Sequence, residues 1–247
     1  MPLMKKKIHK RLSIIFLILL LAVIIGGVVL KTQTYSSMDE AKAIMKQENV
    51  LVDGNIIVIN PEGEVKGNVV FYQGGLVETE SYAVFGQQLA EKGLRVFMYK
   101  MPFNLAILNV GAFDRIYEQY QDDKDWYLGG HSLGGASASM YIKKSTKDIK
   151  GLFFLGAYPS DSSDLSDRKL KVLSIRAEND LVVNLDKYEK AKDLLPTQTQ
   201  YITIPGNHSN FGYYGFQKGD GESSITREEQ HKLVVDAIVE MIGKSNF

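Results

Sequence analysis

The pentapeptide Gly130-His131-Ser132-Leu133-Gly134 frames a hydroxyl with glycines. It follows the apolar run Trp126-Tyr127-Leu128 and precedes the helix-forming Ala136-Ser137-Ala138-Ser139-Met140-Tyr141. A strand that turns sharply through a serine into a helix strains the serine backbone, so its neighbours must be small. The turn aims the hydroxyl at a helix N-terminus, where free N–H groups and the helix dipole stabilise negative charge. Such an arrangement suits nucleophilic attack on an acyl carbonyl. A serine hydroxyl needs a base to take its proton, and the base needs an acid to orient it. Read instead as a helix cap between turn glycines, Ser132 would require nothing elsewhere. The partners therefore decide between the two readings.

The chain has four histidines. His9 lies in a basic N-terminal run. His131 adjoins Ser132, and adjacent side chains on such a turn diverge. His231 sits at the edge of the helical stripe Leu233, Val234, Ala237, Ile238, Met241 and is expected to be partly exposed. His208 follows the strand-like Tyr201-Ile202-Thr203-Ile204 and the breaker Pro205-Gly206-Asn207, where a base is expected. For the acid, Lys171-Val172-Leu173-Ser174-Ile175-Arg176 reads as a buried strand that runs into Glu178-Asn179-Asp180. Asp180 is the first choice and Glu178 the runner-up, although either also suits a turn or a helix cap. Asp161, Asp164 and Asp167 belong to a Ser/Asp-rich loop that reads as solvated or as a small cap over the site. The order Ser132, Asp180, His208 matches one hydrolase architecture and neither main serine-protease order.

Two N–H donors are needed for an oxyanion. Leu133 is expected to supply one. The loop Gln73-Gly74-Gly75-Leu76-Val77, after the strand-like Val69-Val70-Phe71-Tyr72, supplies the other through Gly75 or Leu76. Phe211, Tyr213 and Tyr214, with Phe216, stand beside His208 and are expected to line the acyl or alcohol pocket. No metal or organic cofactor is required by this chemistry.

With these motifs the chain resembles the α/β-hydrolase superfamily, and more narrowly the small bacterial α/β-hydrolase fold-5 group related to dienelactone hydrolase. The resemblance covers roughly residues 50 to 243. It rests on Phe71-Tyr72-Gln73-Gly74-Gly75-Leu76-Val77, Met101-Pro102-Phe103-Asn104-Leu105-Ala106, Gly130-His131-Ser132-Leu133-Gly134-Gly135, Glu178-Asn179-Asp180, and Gly206-Asn207-His208-Ser209-Asn210-Phe211-Gly212-Tyr213-Tyr214-Gly215. Dienelactone hydrolases proper use a cysteine nucleophile, and this chain has no cysteine. The resemblance implies a serine hydrolase of ester-type bonds and no dienelactone substrate. An acyltransferase with the same residues, or a catalytically silent binding module on the same fold, are the alternatives.

These residues need elements to hold them. A hairpin around Asp53-Gly54 joins residues 50–52 to 56–59. Strand-like runs follow at 68–72, 95–99, 126–128, 151–155, 171–176 and 200–204, with helical segments between them. One of these carries the stripe Tyr82, Phe85, Leu89, stopped by Gly93. The last opens with a capping box, Thr226-Arg227-Glu228-Glu229. Strand–helix alternation implies an α/β fold with a mostly parallel, twisted sheet of about eight strands and helices on both faces. Apolar content of 45% is enough to bury such a sheet.

Residues 12–30 are almost wholly apolar, and as a helix they extend roughly 28 Å, about the thickness of a bilayer core. Lys5, Lys6, Lys7, Lys10 and Arg11 precede them. Residues 1–11 are thus expected to be a cytoplasmic basic segment, 12–30 a transmembrane signal anchor and 31–49 a stalk or first helix. Residues 50–247 are then an extracytoplasmic catalytic domain. A cleaved signal peptide is the alternative, but the apolar run is long and no A-x-A site follows it. Removing the five basic residues from the chain's 29 Lys and Arg leaves 24 against 29 Asp and Glu, which argues against a nucleic-acid partner. The expected partners are the membrane and a small-molecule ester. An open cleft without a lid favours small soluble esters over long acyl chains.

Overall fold

The computed structural model describes residues 2–243, with the side chains of residues 2–13 and 22–24 left out. Two compact units divide at Thr34 and Tyr35. The first is the helix α1 (Pro2–Thr32). Its stretch Ile14–Thr32 has a mean hydropathy of 3.0 and buries none of its described side chains, so it is a candidate membrane span or signal sequence. The side chains of the basic cluster Lys5, Lys6, Lys7, Lys10 and Arg11, and of His9, lie outside the described residues.

The second unit begins at Tyr35, earlier than the expected boundary at residue 50. Residues 35–49 are no free stalk. Ser37 donates its backbone N–H to Glu78, Met38 donates to the Tyr213 carbonyl, and Ala41 is wholly buried in the short helix α2 (Asp39–Ile44). The elements that follow are β1 (Val50–Asp53), β2 (Ile56–Ile59), β3 (Gly67–Tyr72), α3 (Ala83–Ala90), β4 (Leu94–Tyr99), α4 (Ala112–Tyr120) and β5 (Trp126–His131). Then come α5 (Leu133–Lys144), β6 (Ile149–Leu155), β7 (Lys171–Ala177), α6 (Leu185–Ala191), β8 (Gln200–Ile204) and α7 (Arg227–Gly243).

The eight strands form one sheet in the order β1-β2-β4-β3-β5-β6-β7-β8. The β1–β2 hairpin is antiparallel and joins antiparallel to β4; every later pairing is parallel. Central strands are buried along their whole length because helices cover both faces. Side-chain alternation splits their residues between two cores. Val69 and Phe71 pack with α3 and α7, whereas Val70 and Tyr72 pack with α4 and α5. Edge strand β8 alternates in exposure. The parallel arrangement puts the carboxyl ends of six strands, β3 to β8, on one edge, and their following loops carry all the residues singled out for chemistry.

Candidate active site

The elbow forms where β5 ends at His131 and α5 starts at Leu133. Ser132 sits between them at φ 51°, ψ −124°. A non-glycine residue there costs on the order of 1–3 kcal/mol and persists only where its surroundings dictate it. They do so here. Ser132 donates its N–H to the Leu155 carbonyl at 3.0 Å, and its own carbonyl accepts from Gly135 at 3.0 Å. A Cβ on Gly134 would collide with the backbone carbonyls of Tyr72 and Gln73, so only glycine lets the helix start this close to β3.

Asp180 and His208 come from the ends of β7 and β8. The Asp180 Oδ2 to His208 Nδ1 distance is 2.8 Å, and both side chains are inaccessible. Asp180 Oδ1 accepts N–H bonds from Val182 (3.0 Å) and Val183 (2.9 Å), which fixes the carboxylate. Glu178 is exposed, as are Asp161, Asp164 and Asp167; none of them is the partner of His208. Nε2 of His208 has no hydrogen-bond partner and is therefore not bonded to Ser132. Both residues line one cleft of about 300 Å³, with Leu133, Tyr158, Val182, Val183 and Asn184 among its other walls.

Further groups hold the loop that carries His208, and little in the sequence signals them. The Asp220 carboxylate accepts from the N–H of His208 (3.3 Å) and from the N–H (2.7 Å) and hydroxyl (2.6 Å) of Ser209. Gln230, on α7, exchanges hydrogen bonds with the Asn207 backbone at 3.0 and 2.9 Å. Gly219-Asp220-Gly221 signals a turn but does not reveal where its carboxylate goes.

The glycine loop after β3 reaches the elbow. A Cβ on Gly75 would stand 3.1 Å from the Leu133 side chain. Leu76, at φ 57°, donates its N–H to the Asn104 carbonyl at 2.8 Å. That bond occupies one of the two possible oxyanion donors and leaves Gly75 as the candidate. Gly74 donates its N–H to Tyr82 Oη at 3.0 Å, and that oxygen is 2.8 Å from His131 Nδ1. Tyr82 therefore accepts from the loop and donates its O–H to the imidazole. Burial, reinforced by His208 nearby, holds the His131 pKa well below the usual histidine value. His131 packs under His208 with ring centroids 4.3 Å apart.

Two expectations need correction. Phe211, Tyr213 and Tyr214 are buried and do not line the cleft. Phe211 packs on His131, Tyr214 donates its hydroxyl to the His208 carbonyl at 3.3 Å, and Tyr213 donates to Glu228 at 3.0 Å. They support the histidine loop from behind. His231 is fully buried rather than partly exposed. Neither ring nitrogen has a partner, and burial lowers its pKa to about 3. Among the described residues no cluster of three or more His, Cys, Asp or Glu is grouped to hold a metal ion.

An eight-stranded sheet with a strained serine between β5 and its helix, and a bonded acid–histidine pair on later strands, defines the α/β-hydrolase class. A family model described as the alpha/beta hydrolase family matches residues 68–232; the chain belongs to that family and is a hydrolase of this type. Est1E from Butyrivibrio proteoclasticus is similar in fold, with a TM-score of 0.56 at 16% identity over 79% of this chain and 98% of that one. Dienelactone hydrolase from Anabaena variabilis gives 0.57 at 18% identity, over 77% and 95% of the two chains. A soluble variant of monoglyceride lipase from Saccharomyces cerevisiae gives 0.58 at 12% identity, over 81% and 96%. No curated protein sequence matches the chain.

Proposed function

We propose that the protein is a membrane-anchored, extracytoplasmic serine hydrolase that cleaves carboxylic esters through an acyl-enzyme. One observation carries this reading: His208, tied through Nδ1 to buried Asp180, has an unpaired Nε2 and shares a cleft with Ser132. In the first half-reaction Ser132 Oγ attacks the ester carbonyl carbon and His208 Nε2 takes the hydroxyl proton. Asp180 fixes the imidazole tautomer and stabilises its cationic form. The N–H groups of Leu133 and Gly75 receive the oxyanion. Collapse of the tetrahedral intermediate breaks the C–O bond to the alcohol, which leaves with the proton from His208. Water then attacks the acyl-serine and gives a proton to His208; the acyl C–Oγ bond breaks as His208 returns that proton to Ser132, releasing the carboxylic acid. The anchor is supported by the apolar, uncovered stretch Ile14–Thr32, and the orientation by the basic residues that precede it in sequence.

Labelling with a fluorophosphonate and hydrolysis of 4-nitrophenyl acetate test the chemistry together. Wild type is expected to react with both. Ser132→Ala, folded by circular dichroism, should lose labelling entirely and more than about 10³-fold in turnover. Undiminished turnover in that variant removes Ser132 from the mechanism.

A further inference from the structure

Large apolar side chains are exposed unevenly on the unit that begins at Tyr35. Among its described residues ten are exposed, and six of these, Phe103, Ile107, Leu108, Leu181, Leu185 and Phe216, stand on segments that leave the carboxyl ends of β4, β7 and β8. Leu181 and Leu185 adjoin the cleft residues Val182 and Asn184 in sequence. Leu105, between Phe103 and Ile107, is 3.8 Å from where a Cβ on Gly75 would stand. Leu181 lies between Asp180 and the cleft residue Val182, and is 70% exposed. Phe103 is held at φ 53°, a strained conformation for a bulky residue, while 57% of it faces solvent. Apolar surface gathered at the mouth of a site marks contact with another apolar phase.

The polypeptide joins this unit at the same edge. Tyr35 donates its N–H to the Leu76 carbonyl at 2.7 Å, Glu78 donates to the Tyr35 carbonyl at 3.0 Å, and Tyr35 bridges Val77. The entry point is thus bonded to the loop that carries Gly75. Only Gln33 and Thr34 separate Tyr35 from the end of the apolar stretch Ile14–Thr32. Three residue steps of extended chain reach roughly 10 Å. A bilayer that took up that stretch would be separated from Tyr35 by no more than this length of chain.

We infer that these six side chains dock the mouth of the cleft on the lipid bilayer, and that the substrate is an amphiphilic acyl ester taken from the membrane. The inference rests on the hydrolase reading of Ser132 and on retention of the span. It replaces the expectation of small soluble esters, which followed from an open cleft alone. Side chains that enter the boundary between headgroups and acyl chains put the cleft at the depth of an ester carbonyl.

The test uses the full chain in phosphatidylcholine proteoliposomes. Because the sequence has no cysteine, Leu181→Cys and Lys92→Cys each create a single site for a nitrobenzoxadiazole label. Lys92, just before β4, is exposed on the amino edge of the sheet. Doxyl-labelled lipid should quench the label at 181 at least twofold and leave the label at 92 unchanged. Equal quenching at both positions, or none at 181, overturns docking. So does burial of the 181 label that grows with protein concentration in detergent, which would mean a second copy covers the rim. In a second arm, the double variant Leu108→Gln/Leu181→Gln should lose at least fivefold in turnover of vesicle-borne 4-nitrophenyl laurate. Its turnover of dissolved 4-nitrophenyl acetate should change less than twofold. Equal losses on the two esters overturn the substrate assignment. If wild type cleaves neither ester while lipid quenches position 181, the hydrolase reading fails and the docking stands.

Discussion

His208 and His231 are equally hidden, each 1% exposed, yet their surroundings differ in every respect that matters for proton transfer. His208 stands on a loop anchored by Asp220 and Gln230, has a carboxylate on Nδ1 and an unpaired Nε2, and lines a cleft with Ser132. His231 lies on α7, edge-on to the rings of Phe85 and Tyr213, with no partner on either nitrogen. Desolvation there penalises the cation, the Arg227 charge adds to it, and the Asn210 backbone and Glu228 offset only part, hence the pKa near 3. Burial alone therefore does not make a histidine a base. What sets His208 apart is an acid on one nitrogen and a place in the wall of a cleft that also holds Ser132.

The contrast breaks first at the acid. Asp180→Asn should reduce kcat/KM toward 4-nitrophenyl acetate by about 10³–10⁴-fold, because the amide no longer holds the productive tautomer. Glu178→Gln, at an exposed position, should stay within twofold. Comparable losses in the two variants would mean that the bonded carboxylate is not what distinguishes His208. The oxyanion loop comes next. A methyl group on Gly74 would stand 2.8 Å from both His131 Nδ1 and Tyr82 Oη, so Gly74→Ala must displace the loop. About 10- to 100-fold should be lost in kcat with little change in KM, since the donor acts on the transition state. A rise in KM alone would show that the loop only binds substrate. Tyr82→Phe leaves Gly74 N–H and His131 Nδ1 without their shared hydroxyl. A loss of about 1–3 kcal/mol in urea denaturation is expected, with a smaller drop in kcat than Gly74→Ala.

The smallest effect on activity concerns His231, whose signature is in stability and appears only in acid. Its folded pKa near 3 lies below the unfolded value near 6.5, so between these values the unfolded chain binds the proton. Stability from this site is present above pH 6.5 and falls as pH drops toward 3, by up to about 1.4 kcal/mol per unit. His231→Leu should remove that slope, so the variant gains on wild type between pH 7 and pH 5. Parallel stability curves for the two proteins in that range would show that the imidazole is not held neutral. Activity toward 4-nitrophenyl acetate at pH 7.5 should not change, which separates this histidine from His208.

Helix α7 shows what an apolar pattern leaves out. Of the stripe Leu233, Val234, Ala237, Ile238, Met241, the residues Val234, Ile238 and Met241 are buried, but the buried face also takes in Gln230 and His231, and Leu233 is exposed. Polar residues on a buried face do not register in a pattern built from apolar ones. The capping box at the same helix was legible because its two hydrogen bonds, at 2.8 and 3.2 Å, join residues three apart. Phe211, Tyr213 and Tyr214 illustrate a related limit of local pattern: nearness in sequence to His208 does not say whether a ring faces the cleft or the core.

The sequence by itself determined the strands, the elbow and the order Ser132, Asp180, His208. Each depends on local rules: side-chain alternation, glycine at strained turns, and breakers at strand ends. Tertiary structure alone decided that Asp180 rather than Glu178 meets His208, that the Leu76 N–H is taken by Asn104, and that residues 35–49 belong to the globular unit. Those outcomes are contacts between distant segments. They depend on strand order and register, which bring together side chains that no short-range pattern connects.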